Sequence, residues 1–290
     1  MKDTGVPDVF PRVAVLGAGT MGAGIAQVCA QAGSSVVLQD VADDLVQKGL
    51  GRVRDFLQKG VDKGKTTPNQ RDAVLSRITT TTDRRAAARD AHLVIEAVPE
   101  KLELKNELFR ELGSATSPAC VLASNTSSLS LARVFAGVAG QARCIGMHFF
   151  NPVPLMALLE VVRTDASSQH TIDAVLAFGK ALGKEPILVK DSPGFASSRL
   201  GVCLGLEAIR MLESGVATAE DIDKAMVLGY GHPMGPLKLT DLVGLDVRLA
   251  IADYLRKELD HPGFDAPGLM RRMVAEGRLG KKSGQGFYRW

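Results

Sequence analysis

Aromatic residues are scarce in this 290-residue chain: one Trp, three Tyr and ten Phe, 5% of the total. Surfaces that hold single-stranded nucleic acid stack bases on aromatic rings, so the scarcity argues against one. There is no excess of charge either. Lys and Arg number 35 against 32 Asp and Glu, a net charge of +3. That excludes an acidic disordered chain and gives no basic field for nucleic acid. Nucleic acid is therefore not expected as a partner. The four cysteines, Cys29, Cys120, Cys144 and Cys203, are far apart and form no CxxC. This excludes a disulfide framework and a zinc site, and reads as the reduced thiols of a cytoplasmic protein. Three of them sit in apolar runs and are expected to be core filler. No His, Cys or acidic pair has metal-ligand spacing, so no metal is expected.

The longest absence is of charge. Residues 13–39, 27 in all, carry none. A bilayer needs about 20 apolar residues. This run is interrupted by Gly17, Gly19, Gly22, Gly24 and Gly33, and by Gln27, Gln31, Ser34 and Ser35. It is neutral without being greasy. Lys2, Asp3 and Asp8 before it are unlike a signal peptide. No membrane association is expected.

What is present suggests two domains, at about 100–200 residues each. Arg12–Gly17, Val36–Leu38, Leu93–Ala97, Cys120–Ala123 and Cys144–Phe149 read as strands. Thr20–Ala32, Asp43–Lys65, a segment opened by Pro68, and Glu100–Leu112 read as helices between them. Alternating strands and helices predict βαβ units and a parallel sheet. After the turn cluster Asp191-Ser192-Pro193-Gly194 the pattern becomes helical: Phe195–Leu212 closed by Gly215, a segment capped by Thr218 and Asp221, and Asp241–Leu259. The expected division is 1–189, α/β, and 190–290, helical.

Gly17-Ala18-Gly19-Thr20-Met21-Gly22 is a GxGxxG that follows a strand and opens a helix, with Asp40 at the end of the next strand. Gly17 allows the tight turn, Gly19 lets a pyrophosphate approach, and Gly22 lets helix and strand pack. The helix start at Thr20 and Met21 offers free N–H groups to an anion. A carboxylate at Asp40 suits ribose hydroxyls and repels a 2′-phosphate. This context predicts a Rossmann-type dinucleotide-binding domain taking NAD. A turn that merely packs, or that binds FAD or a methyl donor, is the alternative.

His148 lies in the apolar run Gly146–Phe150, and Glu160 lies among Leu158, Leu159, Val161 and Val162. A lone buried carboxylate is costly. Adjacent strands on either side of Asn151-Pro152-Val153-Pro154 would pair the two. Such a pair is equipped to take a proton from an alcohol, and spacing alone equally allows a structural pair. Ser124-Asn125-Thr126-Ser127-Ser128 follows a strand, where four hydroxyls and an amide face either a ligand or the cap of a helix over Leu129–Phe135. His92, His170, His232 and His261 read as structural or solvated.

These segments in this order resemble the 3-hydroxyacyl-CoA dehydrogenases, most closely the short bacterial 3-hydroxybutyryl-CoA type. The likeness rests on Val15–Ala26, Ser124–Leu129, Met147–Val162, Asp191–Phe195, Gly231–Asp246 and Gly280–Tyr288. It implies His148 and Glu160 as the catalytic pair and Ser127 as the catalytic-site serine. It implies NAD contacts at Asp40, Glu100, Lys105, Asn151 and Lys282, and acyl-CoA contacts at Ser127 and Lys63. It also implies an acyl-CoA cleft between the two domains and a homodimer formed through the helical domain. Two positions depart from the pattern. Ser198 stands where the family often has Asn, and Phe56 stands where some members contact CoA with Ser. A gulonate-type sugar-acid dehydrogenase and a non-catalytic, crystallin-like NAD-binding protein are the alternative functions.

Overall fold

The computed structural model describes residues 10–290, which form two compact units that divide between Asp191 and Ser192. The first is built on one eight-stranded sheet. Its strands are β1 (Arg12–Leu16), β2 (Ser35–Gln39), β3 (Ile78–Thr81), β4 (Leu93–Glu96), β5 (Val121–Ser124), β6 (Cys144–Phe149), β7 (Leu158–Arg163) and β8 (Glu185–Lys190). Seven helices accompany them: α1 (Thr20–Gln31), α2 (Asp43–Asp62), α3 (Pro68–Leu75), α4 (Arg84–Arg89), α5 (Leu102–Ala115), α6 (Leu131–Val134) and α7 (Gln169–Ala181).

The strand order is β3-β2-β1-β4-β5-β6-β7-β8. The inner strands β4, β5 and β6 are buried along their whole length, which is why they read as mostly apolar runs rather than alternating ones. The sheet is not all parallel, as the alternation of elements predicted. β6 and β7 pair antiparallel, while every other pair is parallel. The reason is chain length. A parallel pair needs a crossover of a dozen or more residues, and residues 150–157 are too few to make one.

The amphipathic reading of α2 holds, with Val46, Gly49, Val53 and Leu57 buried, but the helix ends at Asp62 instead of Lys65. Pro68 does open α3, where Thr67 and Gln70 form a reciprocal capping box. Two strands lay outside the sequence reading. β3 is three threonines after one Ile, and β8 contains Pro186. Both are edge strands, where polar residues and proline are tolerated.

The second unit is helical: α8 (Ser197–Glu213), α9 (Ala219–Tyr230), α10 (Pro236–Val243), α11 (Leu245–Leu259) and α12 (Gly268–Ala275). α8 starts later than expected because Gly194 and Phe195 take left-handed backbone angles, with φ of +74° and +50°. The single helix expected over Asp241–Leu259 is two. Gly244, with φ +106°, breaks it. Thr218 caps α9 as expected, accepting from the Asp221 N–H at 3.2 Å. Among the described residues no helix is long and apolar enough to cross a membrane. Cys29, Cys120 and Cys144 are buried as expected and Cys203 is exposed.

Asp241 organises the end of the chain. Its carboxylate is buried and accepts from the N–H groups of Phe287 and Tyr288, both at 2.9 Å, and from the Trp290 indole at 3.0 Å. Asp223 does the same for the start of α10, accepting from Leu237 N and Lys238 N at 2.8 and 2.9 Å. Replacing Asp241 with Ala strands two backbone donors at about 1–3 kcal/mol each, while the exposed Trp290 indole can turn to water. Asp241→Ala is therefore expected to cost at least about 2 kcal/mol in urea unfolding, and a loss under 1 kcal/mol would contradict this account.

Candidate active site

β1 runs out at Leu16 between β2 and β4, the point where the strand order reverses and ligands of open α/β sheets bind. Gly17 turns the chain there with φ +99°. A Cβ on it would lie 2.5 Å from the carbonyl oxygen of Ala97, so only glycine passes. Gly22 is needed for a closer reason than helix–strand packing. Its Cβ would fall 1.7 Å from the Gly17 carbonyl oxygen, with the Val15 side chain at 3.5 Å. Gly19 is the N-cap of α1 and has open space where a side chain would be. α1 has no side-chain cap and no acid in its first turn, so its leading N–H groups remain available to an anion.

Asp40 closes this turn. Its two carboxylate oxygens accept from Ala18 N and Val41 N, both at 2.7 Å. Those bonds aim the carboxylate and leave it lone pairs for ribose hydroxyls. Gly17, Gly19, Thr20, Met21 and Asp40 line one cavity of about 530 Å³, with Val41, Leu45, Val98, Pro99 and Leu104 among its apolar walls. A glycine cradle, an uncapped helix start, an apolar slot and a carboxylate are what a dinucleotide requires, so these residues fit NAD.

A buried charge network stands behind this edge of the sheet. Glu96, the last residue of β4, is inaccessible to solvent, and Lys105 on α5 is nearly so. The Lys105 ammonium donates to Glu96 Oε1 at 2.5 Å, contacts Glu100 Oε2 at 3.2 Å, and reaches the Val98 carbonyl at 3.3 Å. Those three acceptors match its three protons. Glu96 also accepts from the Ser124 hydroxyl at 2.6 Å and from Val98 N at 2.7 Å. Burial pushes the Glu96 carboxyl above the usual carboxylate range, and the Lys105 ammonium pulls it back. Glu100 Oε1 accepts from the Thr126 hydroxyl and from Ser127 N, the latter at 3.0 Å. Glu100 thereby fixes the loop that carries Ser127.

Within Ser124–Ser128 the roles separate. The Ser124 hydroxyl serves Glu96. Thr126 serves Glu100 and caps the following turn, accepting from Leu129 N at 3.1 Å. Asn125 does not offer its amide oxygen to a ligand: that oxygen accepts from Phe149 N at 2.9 Å and ties β5 to β6. Ser127 is the exposed residue of the loop. The helix expected over Leu129–Phe135 is the shorter α6, whose start is held by Asp191, which accepts from Ala132 N at 2.9 Å.

The antiparallel pairing sets His148 opposite Glu160 in register. His148 Nδ1 lies 2.7 Å from Glu160 Oε2, and the pair is buried, with 5% and 0% of its surface exposed. The Phe150 ring packs 4.5 Å from the imidazole, centroid to centroid. Asn151 follows in the same connection. It shares a cavity of about 220 Å³ with Thr20, Phe56 and Pro154. The connection is pinned from below by Lys184, whose buried ammonium donates to the carbonyls of Val153 and Met156 at 2.5 and 2.8 Å. Burial draws the Lys184 pKa down.

The remaining expected residues lie elsewhere in the chain. Lys63 is exposed at the end of α2. Ser198 is in the first turn of α8, and Lys282 pairs with Asp246 at 2.6 Å. Both belong to the helical unit. Among the described residues no group of three or more His, Cys, Asp or Glu side chains could hold a metal.

Residues 12–192 match the NAD binding domain of 3-hydroxyacyl-CoA dehydrogenases, and residues 194–290 match their C-terminal domain. The chain belongs to the 3-hydroxyacyl-CoA dehydrogenase family. Over 283 residues it is 46% identical to a 3-hydroxybutyryl-CoA dehydrogenase of Mycobacterium tuberculosis, covering 97% of this chain and 99% of that one. It is 43% identical to the human mitochondrial hydroxyacyl-coenzyme A dehydrogenase, covering 97% and 92%. The crystal structure of (S)-3-hydroxybutyryl-CoA dehydrogenase from Ralstonia eutropha superposes with a TM-score of 0.93 at 42% identity, covering 97% and 99%.

Two functional supports in this family member lay outside the sequence reading. Glu96 carried the signal that marked Glu160, an acid inside an apolar strand. Lys184 carried none, because its acceptors are backbone carbonyls of a distant loop. Breaking the Lys105–Glu96 pair leaves a carboxylate buried without compensation, at about 3–5 kcal/mol. Lys105→Met is expected to lose that much in chemical denaturation, and a loss under 1 kcal/mol would show that the pair is not buried as described.

Proposed function

We propose that this chain interconverts short-chain 3-hydroxyacyl-CoA and 3-oxoacyl-CoA, such as 3-hydroxybutyryl-CoA and acetoacetyl-CoA, with His148 moving the proton. The buried hydrogen bond between His148 Nδ1 and Glu160 Oε2, at 2.7 Å, carries this reading. A carboxylate only accepts, so it keeps a proton on Nδ1 and leaves a lone pair on Nε2. That lone pair takes the proton of the 3-hydroxyl. The resulting imidazolium is charged and buried, and Glu160 offsets its charge. In the reverse direction the imidazolium returns the proton to the 3-keto oxygen. NAD, when bound, supplies the hydride acceptor or donor for C3.

Ser127 hydrogen-bonds the reacting oxygen, with Glu100 setting its backbone position. Gly17, Gly19, Thr20, Met21, Gly22, Asp40, Glu100, Asn151 and Lys282 hold the cofactor, and Lys105 contributes through Glu100. Lys63 attracts CoA phosphate, and Ser198 takes the place of the family's Asn with one shorter hydroxyl. The α/β unit is the cofactor domain. The helical unit provides the acyl-CoA cleft and the homodimer contact, a role supported by the exposure of Leu200, Leu228 and Tyr230 at 71%, 80% and 79%. The protein works in the cytoplasm.

Initial rates with 3-hydroxybutyryl-CoA, 3-hydroxydecanoyl-CoA and gulonate, each with NAD⁺ and NADP⁺, test this directly. The first substrate with NAD⁺ is expected to be fastest. Preference for gulonate, or no turnover of any substrate, would overturn the assignment. His148→Gln should lower kcat by roughly 10²–10⁴ with NADH binding unchanged, the usual scale for losing a general base.

A further inference from the structure

The cavity beside Asp40 has a feature the glycine turn does not explain. Val41, Leu45 and Leu104 line it and stay 73%, 38% and 37% exposed, although they are large and apolar. Exposed apolar side chains gathered around one slot mark a surface that a ligand covers. Beside a ribose-binding carboxylate, the flat apolar partner is an adenine ring. Arg84 lines the same slot and is the one cationic residue among those that do.

Arg84 is also out of place where it stands. It opens the short helix α4, where Asp83 is the N-cap and accepts from Ala86 N at 3.0 Å, and where the first turn itself carries Arg84 and Arg85 and no acid. Two cations at a helix N-terminus oppose its dipole, so helix stability does not call for them. Arg84 donates to Glu111 Oε2 at 2.9 Å, and Arg85 donates to Glu111 Oε1 at 3.0 Å. All three side chains are partly or largely exposed, so neither ion pair is strong. Glu111 keeps a cation if Arg84 leaves it.

We propose that Arg84 is a cofactor-binding residue: its guanidinium exchanges Glu111 for the adenine ring of NAD and stacks on it in this slot. The proposal rests on the reading that the slot takes the adenosine half of the cofactor. A planar, weakly hydrated guanidinium stacks on an aromatic face as a lysine ammonium does not.

Calorimetric titration of the whole protein with ADP-ribose tests this without any acyl-CoA. Arg84→Ala is expected to weaken ADP-ribose binding by about 3- to 30-fold, the range of cation–π contacts. It should raise KM for NAD⁺ by a similar factor without a matching fall in kcat. Arg85→Ala removes the other cation from Glu111 and does not touch the slot, so its ADP-ribose affinity should stay within about two-fold of wild type, inside the spread of a surface substitution. ADP-ribose affinity of Arg84→Ala within two-fold of wild type would overturn the proposal. So would full recovery by Arg84→Lys, which would make the contact plain charge attraction. Because ADP-ribose has no acyl group, a wrong choice of substrate leaves this result standing. Failure of the wild-type chain to bind ADP-ribose would remove the slot and the proposal together.

Discussion

A carboxylate with no access to water must be answered by a partner, and the site depends on how Glu160 is answered. The connection over residues 150–157 is too short for a crossover, so β7 returns antiparallel to β6 and its register places Glu160 against His148. Because β1, β4, β5 and β6 are mutually parallel, the imidazole arrives at the same edge of the sheet as the glycine turn. Lys184 holds the connection by two of its carbonyls, and Asn125 fastens the end of β5 to Phe149. One constraint on chain length thus sets a buried imidazole–carboxylate pair at the same edge of the sheet as the glycine turn.

Burial of charge recurs along that edge. Glu96 and Lys105 form a second enclosed pair, and Glu100 links them to the Ser127 loop. Such pairs add little net stability compared with apolar packing, yet they are costly to break. Their effect here is positional. The backbone of Ser127 is held by Glu100, and the strand end at Glu96 is held by the buried Lys105 ammonium.

The sheet and the glycine turn were legible because strict constraints leave marks in sequence. Gly17 and Gly22 answer steric conflicts that any Cβ would create, and Glu160 stands out among Leu and Val. β3 and β8 were not legible, because edge strands need no apolar signature and β8 even carries Pro186. The break at Gly244 was hidden because the apolar spacing continues across it. Side-chain roles in Ser124–Ser128 were ambiguous for another reason. Four hydroxyls look alike in sequence, and only the fold shows that Ser124 and Thr126 serve carboxylates while Ser127 is exposed. The supports at Glu96 and Lys184 depend on partners brought close by tertiary structure. The family resemblance supplied roles for His148 and Glu160 that spacing had left open, and the register of β6 and β7 accounts for their pairing.

The central claim is that His148 and Glu160 act as one unit in proton transfer. A double-mutant cycle on kcat tests it most directly, with ADP-ribose binding measured on each variant to establish an intact cofactor site. If the pair is one unit, His148→Gln and the His148→Gln/Glu160→Gln double variant should have nearly equal kcat, because groups that act together are strongly non-additive. Independent, multiplicative losses from the two substitutions would contradict the account.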